Sequence, residues 1–223
     1  MFCAVCNSGD VTAVTELIEA KADINEQDDD GLTPLHQALI GDPTEREPHF
    51  EVIRALVEAK ADVNPVTKAS PPLLFPLDKG YVPGASLIVG VGWCPEVARY
   101  LIEHGADPNA LGEEEVNEET AGMGRLPLLR HTVCSDALID STRLLLDAKA
   151  EIDKVVENSV YGFTALHTAA YYAQVKQVEL LVECGADIGI VSAEGKTAEG
   201  YAQDAVYGDA EASAQMIEFL EET

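Results

Sequence analysis

The stretch GFTALHTAA, residues 162–170, sets His167 three positions after Thr164. An imidazole beside a hydroxyl is the pairing a general base uses to activate a nucleophile. Imidazole is also the commonest metal ligand. The same stretch occurs earlier as GLTPLHQAL, residues 31–39, with His36 three positions after Thr33. A catalytic base does not normally come in duplicate, and the sequence suggests no nucleophile or second ligand beside either copy. The duplication moves the question from the two histidines to the elements that carry them.

The other chemistry-bearing residues fail on spacing. Cys3 and Cys6 form a CxxC, but no second CxxC or HxxxH follows to complete a zinc site. EGKTAEG, 194–200, contains GKT, yet a phosphate loop needs glycine where Ile190 stands. GVGW (90–93) and GMGR (122–125) lack the third glycine of a dinucleotide site. The acidic runs DDD (28–30) and EEEVNEE (113–119) lack the alternating pattern of a calcium loop and read as solvated loops. No catalytic residue, cofactor or metal is expected.

Of the 223 residues 47% are apolar, enough for one domain with a core or for one continuous array. Lys and Arg total 14 against 40 Asp and Glu, a formal net charge of −26. Such a surface repels phosphate backbones and anionic headgroups, so no nucleic acid and no membrane is expected as partner. A basic protein is the expected partner, although an acid excess also serves solubility alone. Self-repulsion argues for a monomer. The five cysteines, Cys3, Cys6, Cys94, Cys134 and Cys184, are odd in number and irregularly spaced, as reduced thiols are. The amino terminus lacks the basic n-region of a secretory signal. The longest nearly apolar run, ASLIVGVGWC at 85–94, is about half of the ~20 residues that span a bilayer. The expectation is an intracellular protein, cytoplasmic or nuclear.

A second phrase recurs five times: LIEAKADIN (17–25), LVEAKADVN (56–64), LIEHGADPN (101–109), LLDAKAEID (145–153) and LVECGADIG (181–189). Its alanines, Ala22, Ala61, Ala106, Ala150 and Ala186, lie 39, 45, 44 and 36 residues apart, and both TxLH phrases fall in the same register. EVIRALVEA (51–59) and STRLLLDA (141–148) space their apolar residues for one buried helical face. A short helix pair cannot bury that face alone and must stack on its neighbours.

With both phrases in this register, the chain resembles the ankyrin repeat family, whose period is 33 residues and whose first helix opens T-P-L-H-x-A. The resemblance implies an all-α ankyrin-repeat solenoid of helix-turn-helix units joined by β-turn loops, a single domain over 1–223. Six units follow, approximately 1–25 (truncated), 26–64, 65–109, 110–153, 154–189 and 190–223, with insertions at 42–48, roughly 65–93 and 110–123. Each second helix should end on a left-handed residue. Gly105 and Gly185 suit that place, whereas Lys21, Lys60 and Lys149 occupy it in the other units.

The resemblance makes Thr33 with His36, and Thr164 with His167, structural hydrogen-bonding clips at the start of first helices. It places Cys3 and Cys6 among tightly packed first-helix positions and makes Asn25 and Asn64 targets for an asparagine hydroxylase. Partners in the family meet the loop tips, or fingers, and the two residues before the turn that closes the first helix. Here those helix positions are Asn7 and Ser8, Ile40 and Gly41, Val133 and Cys134, and Tyr171 and Tyr172. The fingers add Glu26, Asp28 and Asp29, and the fourth unit opens with Glu113, Glu114, Glu115, Glu118 and Glu119. Paired tyrosines suit an interface, because they give large contact area at low entropy cost.

The implied function is a binding or scaffold module without catalysis of its own. The alternative is the recognition domain of a larger enzyme, such as a kinase or ubiquitin-ligase subunit, with catalysis outside this chain. Catalysis within it would need a converging set such as Cys94 with His104 or His131, which their spacing does not suggest.

Overall fold

A computed structural model describes residues 2–41, 49–65, 94–112, 126–155, 161–204 and 210–223. Contacts divide the chain into two compact units, Met1–Glu113 and Glu114–Thr223. In the first unit the described helices are α1 (Phe2–Asn7), α2 (Val11–Glu19), α3 (Pro34–Ile40), α4 (Phe50–Glu58) and α5 (Pro95–Glu103). In the second they are α6 (Leu128–Thr132), α7 (Ile139–Asp147), α8 (Ala165–Tyr171), α9 (Val175–Glu183), α10 (Ala198–Gln203) and α11 (Ala210–Glu221). Among the described residues, extended structure is limited to two two-residue segments, β1 (Leu111–Gly112) and β2 (Leu126–Pro127).

Short helices alternate in two roles. In the first unit α1 packs on α3 and α2 on α4; in the second α8 packs on α10, and α9 on both α7 and α11. The sequence of α4 shows why stacking is required. Val52, Ile53, Leu56 and Val57 are all buried on one face, while Glu51, Arg54 and Glu58 point to solvent with Arg54 Nη1 3.4 Å from Glu51 Oε1. Each such buried side chain contributes roughly 1.5–3 kcal/mol, but a nine-residue helix is too short to hold together without a neighbour.

The repeated phrase has a physical meaning at the helix ends. The amide of each aligned alanine donates to the carbonyl of the leucine five residues earlier. The pairs are Ala22 to Leu17, Ala61 to Leu56, Ala106 to Leu101, Ala150 to Leu145 and Ala186 to Leu181, all between 2.9 and 3.0 Å. This is the Schellman closure, which satisfies orphan carbonyls at the cost of one left-handed residue. That residue is Gly105 (φ 93°) or Gly185 (φ 92°) in two units, and Lys21 (60°), Lys60 (74°) or Lys149 (68°) in three. A side chain in that region costs on the order of 1 kcal/mol. Lys60 is exposed, so Lys60→Gly is expected to raise the melting temperature, read by circular dichroism. An unchanged or lower value would contradict the strain.

Side chains after three of the closures link neighbouring repeats. Asn25 Oδ1 accepts from the Asp62 amide at 2.9 Å. Asn64 Oδ1 accepts from the Asp107 amide at 2.8 Å, and its Nδ2 donates to the Gly105 carbonyl at 2.7 Å. In the second unit Asp153 takes this place and accepts from the Asp187 amide at 3.1 Å. A carboxylate has no N–H to offer the Gly185 carbonyl. Asp153→Asn supplies that donor and relieves like-charge contact with Asp187, so it is expected to stabilise by about 1 kcal/mol in urea denaturation. A loss of stability would show that the two rungs are not equivalent.

Candidate functional site

The clips at the start of the first helices are assembled locally. Thr33 and Thr164 both hold extended backbone angles as N-caps of α3 and α8. The Thr164 N–H donates to His167 Nδ1 at 3.2 Å, its Oγ1 lies 2.8 Å from the same nitrogen, and Oγ1 also accepts from the His167 amide at 3.4 Å. Because Nδ1 accepts, the ring proton sits on Nε2, which donates to the Lys196 carbonyl in the next repeat at 3.2 Å. His36 repeats the arrangement, with the Thr33 amide 3.0 Å from its Nδ1 and Thr33 Oγ1 at 2.8 Å. Both imidazoles are buried. Burial also holds the His167 pKa below its ordinary value, against the raising effect of its backbone hydrogen bonds. Both nitrogens of His167 are spent on this hydrogen bonding.

The fourth repeat departs from this pattern. Arg130, at the third position of α6, stands where His167 stands in α8. Its Nε donates to Thr168 Oγ1 at 3.0 Å, and its guanidinium carbon lies 5.7 Å from the centre of the Phe163 ring. In the first, second and fifth repeats the first helix is followed by a left-handed residue: Gly9 (φ 73°), Gly41 (66°) and Ala173 (55°). After α6 comes Ser135 instead, extended at φ −151°, and then a 3-10 turn, Asp136–Leu138. The expectation for Val133 is therefore corrected. Its alignment assumed a turn that is absent, and with Arg130 matched to His167 it corresponds to the inward-facing Ala170. Val133 is 0% exposed, and no partner can reach its side chain.

The other expected contact residues divide sharply. Asp28 is half-buried and engaged: its Oδ1 accepts from the Asp30 and Leu32 amides at 3.1 and 2.9 Å, and its Oδ2 accepts from Gln37 Nε2 at 2.9 Å. Glu26 Oε1 accepts from the Phe2 amide at 3.1 Å. Both acids brace the finger they were expected to arm, whereas Asp29 is exposed. Asn7 Nδ2 donates to the Gly41 carbonyl at 3.1 Å, and the Asn7 carbonyl accepts from His49 Nε2 at 2.8 Å, so Asn7 joins repeats. Ile40 is half-buried at the end of α3. Glu113, Glu114, Glu115, Glu118 and Glu119 lie outside the described residues.

Tyr171 and Tyr172 close α8, both half-buried, with ring centres 5.3 Å apart at 86°. Behind them stand two rings that sequence reasoning missed. Phe163 lies 6.0 Å from Tyr171 and 4.7 Å from Tyr201, and Tyr201 lies 6.1 Å from Tyr171. Tyr201 joins the other rings only through stacking of the last two repeats, and no local spacing announces it.

Exposed cations are unevenly placed within each unit. The first unit's described cations, Lys21, Arg54, Lys60 and Arg99, are all exposed on second helices or the turns after them. In the second unit Arg143, Lys149 and Lys176 are placed alike. Arg130 is buried, and the two finger lysines are paired, Lys154 with Glu151 at 3.0 Å and Lys196 with Asp204 at 2.9 Å. The described first helices therefore present no exposed cation.

Cys3 and Cys6 are buried in α1, their pKa values raised to about 11 and about 12, in both cases chiefly by burial. Such thiols stay protonated and unreactive at neutral pH. At the end of α5, His104 Nδ1 lies 2.8 Å from the Tyr100 carbonyl, and its ring centre lies 4.1 Å from that of Tyr100 with the planes tilted at 37°. Among the described residues no helix is long and apolar enough to cross a membrane.

Stacked helix pairs, threonine–histidine clips and Schellman-closed second helices define a helical repeat array that works through its surface. The family model for ankyrin repeats in three copies matches residues 1–112 and 95–192, and the chain belongs to the ankyrin repeat family. No curated protein matches the sequence. Among solved structures, the ankyrin repeat protein EF0377 is similar with a TM-score of 0.66 and 23% identity, over 99% of this chain and 96% of that one. An ankyrin repeat domain, ABAYE2397 from Acinetobacter baumannii AYE, matches with a TM-score of 0.69 and 20% identity, over 99% and 97%. A chain from the complex of the predatory endopeptidase Bd0816 of Bdellovibrio bacteriovorus with the immunity protein Bd3460 matches with a TM-score of 0.65 and 21% identity, over 100% and 97%. At these identities the likeness is one of fold. Ankyrin repeats are in general protein-binding modules without catalysis.

Proposed function

We propose that this chain is a binding module for a basic protein, held through the first helices and the fingers, with no catalysis of its own. The observation that carries this reading is the placement of the exposed cations. The net charge is −26, yet the exposed cations of each unit collect on second helices and the turns that follow them, away from the first helices. A partner rich in Lys and Arg is drawn to acidic finger residues such as Asp28, Asp29 and Asp30, beside first helices that present no exposed cation. The structural likeness to a chain from an endopeptidase–immunity protein complex agrees with a protein as the ligand. The same charge favours a monomer, and the odd, irregularly spaced cysteines favour a reducing compartment, the cytoplasm or nucleus. Tyr171, Tyr172, Ile40 and Asp29 are the proposed contacts among the described residues, and the acids at 113–119 would extend them.

Immobilised intact chain, exposed to lysate of its source cells and eluted with a salt gradient, tests the reading. Retained proteins are expected to have isoelectric points well above neutrality and to leave as salt rises through the range where Debye screening sets in. Retention of acidic proteins, or retention indifferent to salt, would overturn it.

A further inference from the structure

The aromatic cluster of the second unit already seats two of the protein's own cations. Arg130 lies over Phe163 at 5.7 Å and Lys196 Nζ over Tyr201 at 5.4 Å, both measured to the ring centre. Lys196 is held there by carboxylates as well, with Asp204 Oδ2 at 2.9 Å and Glu194 Oε2 at 3.5 Å. Tyr201 itself donates to Glu194 Oε2 at 3.2 Å. In both contacts the cation lies over a ring face, which attracts positive charge.

The cluster continues outward from Phe163 and Tyr201 to Tyr171 and then to Tyr172. The inner rings are buried at 5% and 4% exposure, whereas the outer pair is half-buried. Standing at 86°, the outer rings meet edge to face and form a corner. We propose that this corner seats an arginine side chain of the protein partner. The inference rests on the basic-partner reading above and turns it from surface charge into a named contact. Arginine fits better than lysine because its planar, weakly hydrated guanidinium stacks on a ring.

The test titrates the intact chain, with its tyrosine rings isotopically labelled, using the tripeptide acetyl-Gly-Arg-Gly-amide and its neutral citrulline counterpart. Saturable shifts of the Tyr171 and Tyr172 ring resonances are expected with the arginine probe and not with citrulline. Tyr172→Leu is expected to weaken the arginine probe about threefold, while Tyr172→Phe, which keeps the ring, retains it. Tyr172 caps the end of α8, and circular dichroism checks that both variants stay helical. Equal binding of arginine and citrulline, or Tyr172→Leu binding as tightly as the parent, would overturn the seat. The arginine–citrulline contrast on the parent chain decides even if a variant unfolds. If the probe fails while a basic partner is still captured and released by salt, the arginine seat falls and the basic-partner reading stands.

Discussion

His167→Ala is expected to destabilise the second unit by about 3 kcal/mol, lowering the melting temperature by roughly 6–12 °C for a chain of this size. The substitution removes a buried ring and strands the Thr164 amide and the Thr164 hydroxyl proton, while the Lys196 carbonyl keeps only the Ser192 amide. Each buried orphan costs about 1–3 kcal/mol when water cannot replace its partner. Urea denaturation followed by circular dichroism measures the loss. A change under about 1 kcal/mol would deny the clip its structural role, and an imidazole kept only for chemistry would behave that way.

The second large effect is acid-linked. His131 is 4% exposed, and among the described residues its Nε2 has no hydrogen-bond partner. Burial first, and the Arg130 charge second, lower its pKa to about 4. In the unfolded chain the value returns to about 6.5. Between those values the unfolded state binds more protons than the folded one, so stability falls as pH falls through the window and levels off below it. The full stability is present above about pH 6.5, and about 2–3 kcal/mol of it is lost by about pH 4.5. Carboxylates of this acidic chain titrate nearby, so the comparison is with His131→Gln over the same pH series. The parent is expected to lose about 2–3 kcal/mol more than the variant. Parallel pH profiles would show that His131 charges without penalty.

Much of the fold was legible because repetition amplifies local physics. One leucine–alanine phrase is weak, but five in register mark five helix ends, and all five make the same Schellman bond. The three lysines at the left-handed position were legible for the same reason. Asn25 and Asn64 stood in that phrase as well, but their bonds to Asp62 and Asp107 depend on the next repeat and carry no local sign. Val133 was misplaced because Arg130 replaces the histidine that anchors the register and no left-handed residue follows α6. The acids of the first finger were read as contacts, yet Asp28 folds back on its own loop to satisfy backbone amides. Composition reports how many charges a loop carries, not which of them the loop consumes. The contact of Tyr171 with Tyr201 was invisible for a related reason: it joins side chains from different repeats.

The most direct measurement on the proposed binding surface is hydrogen–deuterium exchange of the intact chain, alone and with the basic protein it captures. Slowed exchange is expected in residues 26–41, 161–172 and 191–203, the fingers and first helices, with α4, α7 and α9 unchanged. Protection confined to α4, α7 and α9 would place the partner on the second helices and contradict the proposal.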